Sequence, residues 1–191
     1  MDEIVKAALK KWPNVPHCRG WLALDARGEW YMRDDRTQAA GPFPRVKGSR
    51  ILHDKLREFI HRNYLADEQG AWFFQNGPQR VYVELEAAPW VWRIEPAAAP
   101  ALPRITSHTG LPARFEAAFV DEAGRLFLAT DLGLGLVHTL DMEAAADAVE
   151  RGAWPVVEVA FGDLPARFAY RLSPAADATE ASGAAPAAQT P

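Results

Sequence analysis

The sequence predicts an α+β fold. It reads as two related β-β-α-β-β units with antiparallel sheets, each covered by one helix, plus a short N-terminal helix. Three observations carry this. Asp25-Ala-Arg-Gly28 and Asp121-Glu-Ala-Gly124 each punctuate two strand-like runs, as a hairpin turn does. Gly70-Ala-Trp72 and Gly152-Ala-Trp154 each follow a segment of helical period. Strand-like VYVEL (81–85) and VVEVAF (156–161) come next, which aligns Glu84 with Glu158. The same order in both halves is the mark of a duplication.

Each element follows from local chemistry. Residues 2–11 place Ile4, Ala8 and Leu9 on one helical face and Lys6 and Lys10 on another, and Pro13 and Pro16 end the helix. Trp21–Leu24 and Glu29–Met32 read as the strands of the first hairpin. Residues 35–50 read as loop. A helix is expected from Ser49 as N-cap, with Leu52, Leu56, Phe59, Ile60 and Tyr64 facing the core, and Asp67-Glu-Gln-Gly70 stopping it. Strands follow at 71–75, 79–86 and 90–95. In the second half a helix is expected at 141–151 with Asp141 as N-cap. FAYRLSP (168–174) answers WVWRIEP (90–96), aligning Arg171 with Arg93.

These signals divide the chain into a first unit with the N-terminal helix (1–95), a Pro/Ala linker (96–104), a shorter second unit (105–174) and a tail (175–191). The tail lacks large apolar residues and reads as disordered.

Of the 191 residues, 49% are hydrophobic and the formal net charge is −4, which suits a globular protein and opposes non-specific nucleic-acid binding. Charge is unevenly divided: residues 1–95 hold 15 basic and 13 acidic side chains, residues 96–191 hold 6 and 12. A single cysteine, Cys18, allows no internal disulfide and suggests a reducing compartment. With no secretory pattern and no apolar run of membrane-spanning length, the cytoplasm is the expected location.

No catalytic constellation stands out. His17-Cys18 are adjacent, which rarely lets a base face a nucleophile, and no HxxxH or HExxH spacing marks a metal site. DLGLGLVH (131–138) lacks both the third glycine of a dinucleotide loop and the lysine of a P-loop. No cofactor and no metal are therefore expected.

The feature that asks for a function is Gln75-Asn-Gly-Pro-Gln-Arg80 between two strands. The second half has no counterpart to this hairpin, so the repeating unit can do without it. Pro78 argues against an ideal two-residue turn and for a loop of four to six residues. Such a loop displays amides and one guanidinium able to read carboxylates or peptide groups.

The expected binding residues are Gln75, Asn76, Gln79 and Arg80, with Trp90 or Trp92 supplying apolar area. Arg50 and His53, from the basic stretch 45–62, are expected to face an anion across a groove. The leading expectation is a non-enzymatic binding or adaptor protein for an unknown protein or a small anionic ligand. The alternative is an enzyme on a small polar or anionic substrate, using His53 or His61 with Asp54 or Glu58. A homodimer pairing its sheets edge to edge is a third reading.

PHCRGWLALDARGEW and FFQNGPQRVYVELEAAPWVWR resemble a family of proteobacterial proteins of unknown function, mostly from β-proteobacteria. The resemblance covers residues 1–95 well and the second half loosely. It implies a bacterial cytoplasmic protein and transfers no catalytic residue.

Overall fold

The computed structural model describes residues 1–97 and 101–177. In chain order the elements are α1 (Glu3–Lys11), β1 (Cys18–Leu24), β2 (Trp30–Met32), α2 (Asp35–Ala40), β3 (Ser49–Arg50), α3 (Asp54–Arg62), β4 (Tyr64–Ala66), β5 (Trp72–Asn76) and β6 (Gln79–Leu85). Then come β7 (Trp90–Glu95), β8 (Arg104–Ser107), β9 (Pro112–Ala113), β10 (Phe115–Val120), β11 (Leu126–Thr130), β12 (Gly133–Val137), α4 (Met142–Glu150), β13 (Val156–Glu158) and α5 (Leu164–Arg167).

The α+β class holds, but both sheets are mixed rather than antiparallel. One has six strands in the order β3-β2-β1-β6-β5-β4, the other seven in the order β13-β10-β11-β12-β7-β8-β9. β6 runs parallel to β1, β13 to β10, and β7 to β12. A helix between the hairpin and each returning strand is the crossover that lets β6 and β13 come back parallel. β7, read from the sequence as the last strand of the first unit, joins the seven-stranded sheet.

One apolar core lies between the sheets. Leu22, Leu24, Trp30, Phe74, Val83 and Leu85 from the first meet Trp90, Trp92, Phe119 and Leu128 from the second. All five residues of β11 are buried. Ala145 and Ala148 of α4 have no exposed surface, so small residues bring that helix into close contact with the core.

Four turns share one design. Asp25, Asp67, Ser107 and Asp121 each accept, through a side-chain oxygen, from the backbone N–H four residues on. In each the Gly three residues on donates back to the first residue's carbonyl. This is the Asx or Ser turn that lets a short polar side chain stand in for backbone partners. Asp67–Gly70, expected to stop a helix, is thus a hairpin turn between β4 and β5.

The third helix starts later than expected. Ser49 pairs with Met32 as β3, and His53 caps α3 by accepting from Leu56 N–H at 3.2 Å. Leu52 is consequently 70% exposed instead of core. Asp141 precedes α4 but makes no side-chain cap; it accepts from Arg93 and from the Ile94 N–H.

The Gln75–Arg80 hairpin is tighter than expected. Asn76 pairs with Gln79, leaving only Gly77-Pro78 in the turn. Pro78 is tolerated because the ladder does not ask for its missing N–H.

Residues 168–174 form no strand. They cross onto the first sheet, where Leu172 C=O accepts from Leu85 N–H at 2.8 Å and Gly70 C=O accepts from Arg171 N–H at 3.1 Å. Residues 174–177 make a helical turn. The rest of the expected tail, and residues 98–100 of the expected linker, lie outside the described residues. No helix among the described residues is long and apolar enough to cross a membrane.

Candidate functional site

Side chains alternate across a strand, so β6 sends Val81, Val83 and Leu85 into the core and Arg80, Tyr82 and Glu84 to the other face. That outer face carries its own small apolar cluster of Ala71, Phe73 and Tyr82. Around it lies an open groove of about 570 Å³, lined by Arg19, Arg80, Tyr82 and the β4–β5 turn residues Asp67, Glu68 and Gln69. A neighbouring depression of about 420 Å³ shares Arg19, Asp67, Gln69 and Tyr82 and adds Arg171, Pro174 and Asp177. Three parts of the chain thus build one site: the outer face of β1 and β6, the β4–β5 hairpin, and the C-terminal segment.

The cations of the groove fall into two groups. Arg171 is spent: its Nε donates to Gln69 C=O at 3.0 Å and its Nη1 pairs with Asp177 at 3.0 Å. Arg19 and Arg80 have no ion-pair partner among the described residues. Each instead lies over an aromatic ring, Arg19 at 4.5 Å from the centroid of Tyr82 and Arg80 at 4.6 Å from that of Phe73. Cation–π attraction holds a guanidinium over its ring and leaves its N–H groups able to donate.

Tyr82 is held in turn. Its hydroxyl donates to Asp67 Oδ2 at 3.0 Å, while Asp67 Oδ1 accepts from the N–H groups of Gln69 and Ala71. His17 meets the edge of Tyr82 at 5.8 Å. Desolvation, then the charges of Arg80 and Arg19, lower its pKa, against the opposing pull of Asp67. The groove therefore has a cationic wall and an acidic wall.

Behind it, Glu84 is a buried carboxylate. It accepts from Ala175 N–H at 3.1 Å and from the hydroxyl of Ser173. Burial raises its pKa, and the two hydrogen bonds only partly offset that. Glu84 thus fastens the C-terminal segment that lines the neighbouring depression.

The residues expected from the sequence fall in three places. Arg80 is in the groove. Gln75 and Gln79 are structural: the Gln75 amide, 1% exposed, donates to Gly77 C=O at 2.9 Å, and that of Gln79 donates to Pro16 C=O at 3.1 Å. Asn76 is exposed at the hairpin end.

Trp90 and Trp92 stand in the core at 5% and 0% exposure and present no surface to a ligand. Their indole N–H groups donate to Leu132 C=O and Leu128 C=O. Gly135 gives them room, since a Cβ there would press on the Trp92 indole and stand 2.7 Å from Trp90 Cβ. That is the physical reason for the second glycine of GLG in DLGLGLVH.

Arg50 and His53 belong to the far edge. Arg50 forms a two-pronged pair with Glu29 at 2.9 and 2.8 Å, and His53 is the α3 cap. β3 stands three strand spacings from β6, about 14 Å, so they face no groove shared with Arg80. His61 lies in an aromatic cluster, where its Nε2 accepts from Trp30 Nε1 at 3.0 Å.

Sequence reasoning missed His17, Arg19, Asp67, Gln69, Tyr82 and Arg171 as a site. The legible signal was the alternation Arg80-x-Tyr82-x-Glu84, polar at every second position of a strand.

Among the described residues no group of three His, Cys, Asp or Glu is arranged to hold a metal ion. The molecule is thus an α+β protein with two mixed sheets and an open, polar, arginine-bearing groove. The chain belongs to the DUF2944 family, whose model, described as a protein of unknown function (DUF2946), matches residues 1–175. No curated protein matches it. A DUF1285 family protein from Silicibacter pomeroyi DSS-3 aligns over 77% of this chain and 84% of that one, at a TM-score of 0.49 and 14% identity. A DUF1285 family protein from Shewanella baltica OS155 aligns over 66% and 91%, at 0.45 and 14%.

Proposed function

We propose that this protein is a non-enzymatic binding module whose ligand sits in the groove on the outer face of the six-stranded sheet. One observation carries the reading: Arg19 and Arg80, without ion-pair partners among the described residues, lie over aromatic rings beside the same groove. Guanidinium groups preorganised this way lose little freedom on binding and suit oxyanions or carbonyl groups.

The reading of the chain as two related units supports it. Order β6-β1-β2-β3 in one sheet parallels β13-β10-β11-β12 in the other, and a histidine, His53 or His138, accepts from the backbone just before each helix. On that equivalence the β4–β5 hairpin is the first unit's insertion, and it supplies one wall of the groove. Register then answers Glu158 with Leu85 rather than Glu84, because Val120 pairs with Glu158 as Leu24 pairs with Leu85.

The enzyme alternative has less support, since His53 and His61 each have a ring nitrogen engaged in holding structure.

Capture from a bacterial lysate tests the reading, with wild type beside folded Arg19→Ala/Arg80→Ala and a control, Arg104→Ala, on the other sheet. Retained proteins and small molecules are identified by mass spectrometry. A species kept by wild type and the control and lost by the double variant supports the groove. Equal recovery by all three baits contradicts it.

A further inference from the structure

The groove also points to the kind of ligand, an inference that rests on the binding reading above. Two permanent cations, Arg19 and Arg80, stand on neighbouring strands with His17 beside them, all three within reach of the Tyr82–Phe73 ring pair. One carboxylate needs only one guanidinium fork. Two forks with an imidazole suit a group that spreads two charges over three oxygens. The opposite wall is acidic, with Asp67 and Glu68, and Asp177 lies in the adjoining depression. The cationic surface is thus limited to Arg19 and Arg80 and offers no track for an extended polyanion such as a nucleic-acid backbone, and the volume of about 570 Å³ is that of a small-molecule site.

We propose that Arg19, Arg80 and His17 bind the dianionic phosphoryl group of a small phosphorylated molecule. Its remaining hydrogen-bond donors face Asp67, Glu68 and Gln69.

His17 provides a readout that a purely structural role would not move. It lies against the Tyr82 ring; desolvation, then the charges of Arg80 and Arg19, disfavour its protonation, and the charge of Asp67 favours it. A bound dianion reverses the balance, so phosphate and a proton bind cooperatively.

The test follows the His17 ring protons by NMR from about pH 5 to pH 8, the window in which imidazole titrates. His17 is assigned with His17→Gln. Inorganic phosphate, sulfate, acetate and chloride are compared at equal ionic strength. Phosphate and sulfate are expected to raise the His17 midpoint by about one pH unit over chloride, which by linkage means about tenfold tighter binding to protonated His17. The rise should vanish in Arg19→Gln and in Arg80→Gln.

An unchanged midpoint in phosphate, an equal rise in acetate, or a rise that survives both variants overturns the proposal. If lysate capture depends on Arg19 and Arg80 while His17 ignores phosphate, the binding face stands and the dianion assignment falls. If capture is equally indifferent to them, both fall.

Discussion

The hydroxyl of Tyr82 donates to Asp67 at 3.0 Å, tying the middle of β6 to the turn of the β4–β5 hairpin. Asp67 simultaneously closes its own turn through two backbone N–H groups. One carboxylate therefore shapes the turn and fixes the ring on which Arg19 rests. The groove is an outcome of that bond, and its consequences can be measured.

Arg19 and Arg80 should matter for binding far more than for folding. Arg19 is exposed and Arg80 only half-buried, and their ring contacts are worth about 0.5–1 kcal/mol each at such sites. Arg19→Ala/Arg80→Ala is expected to move the urea midpoint little while abolishing capture of the ligand. Chemical denaturation of the pure variant checks the first half.

Asp67→Ala should cost more than either arginine. It leaves the Gln69 and Ala71 N–H groups and the Tyr82 hydroxyl without their acceptor, a loss of about 1–3 kcal/mol. Asp67→Asn retains an acceptor oxygen and should recover part of that. Thermal denaturation of the pair gives the order.

Gly70 holds a left-handed φ of 78°, with the C-terminal segment against it. A Cβ there would meet the Ala169 carbonyl, with its carbon at 2.8 Å. Gly70→Ala is expected to destabilise by about 2 kcal/mol or more and to loosen residues 170–177. Hydrogen exchange should show lost protection at the Arg171 N–H, which donates to Gly70 C=O.

Glu84 gives a signed pH effect. Its folded pKa is raised by burial, so the folded state binds the proton more tightly than the unfolded chain does. The stabilisation this brings is fully present below the unfolded value and is lost as pH rises through the folded one. Glu84→Gln, which is neutral and keeps an acceptor, should therefore equal or exceed wild type in stability at neutral pH. Glu84→Ala should fall below it by about 1–3 kcal/mol, since the Ser173 and Ala175 donors lose their partner. Melting temperatures at about pH 7 separate the two.

His108 gives the opposite sign. Its Nδ1 accepts from Val91 N–H, its Nε2 is buried without a partner among the described residues, and burial lowers its pKa to about 3. Below pH 6.5 the unfolded chain takes up a proton that the folded one refuses. Stability should fall on acidification by about 1.4 kcal/mol per pH unit from this residue. His108→Asn should flatten the profile of urea midpoint against pH; an unchanged slope would contradict the assignment.

Much of the fold was legible because it is written in local chemistry. The Asp25 and Asp121 turns carry their own hydrogen-bonding code, and the periodicity around Leu56–Ile60 marks a helix whatever surrounds it. Sheet direction was not legible: whether β6 returns parallel beside β1 depends on a crossover spanning the whole of α3, β4 and β5. Trp90 and Trp92 misled because an indole suits an interface as well as a core, and only the packing of Gly135 against them decides. Arg80 was found from its hairpin, but Arg19 lies some sixty residues earlier, and only the β1–β6 pairing brings the two together.

Backbone amide NMR on isotope-labelled protein tests the central claim most directly. The probe is the small-molecule fraction of a bacterial extract, compared with the same fraction added to Arg19→Ala/Arg80→Ala. The groove account predicts shifts confined to Arg19, Arg80, Tyr82 and the 67–70 turn, absent in the variant. Shifts centred on another surface, or identical in both proteins, would contradict it.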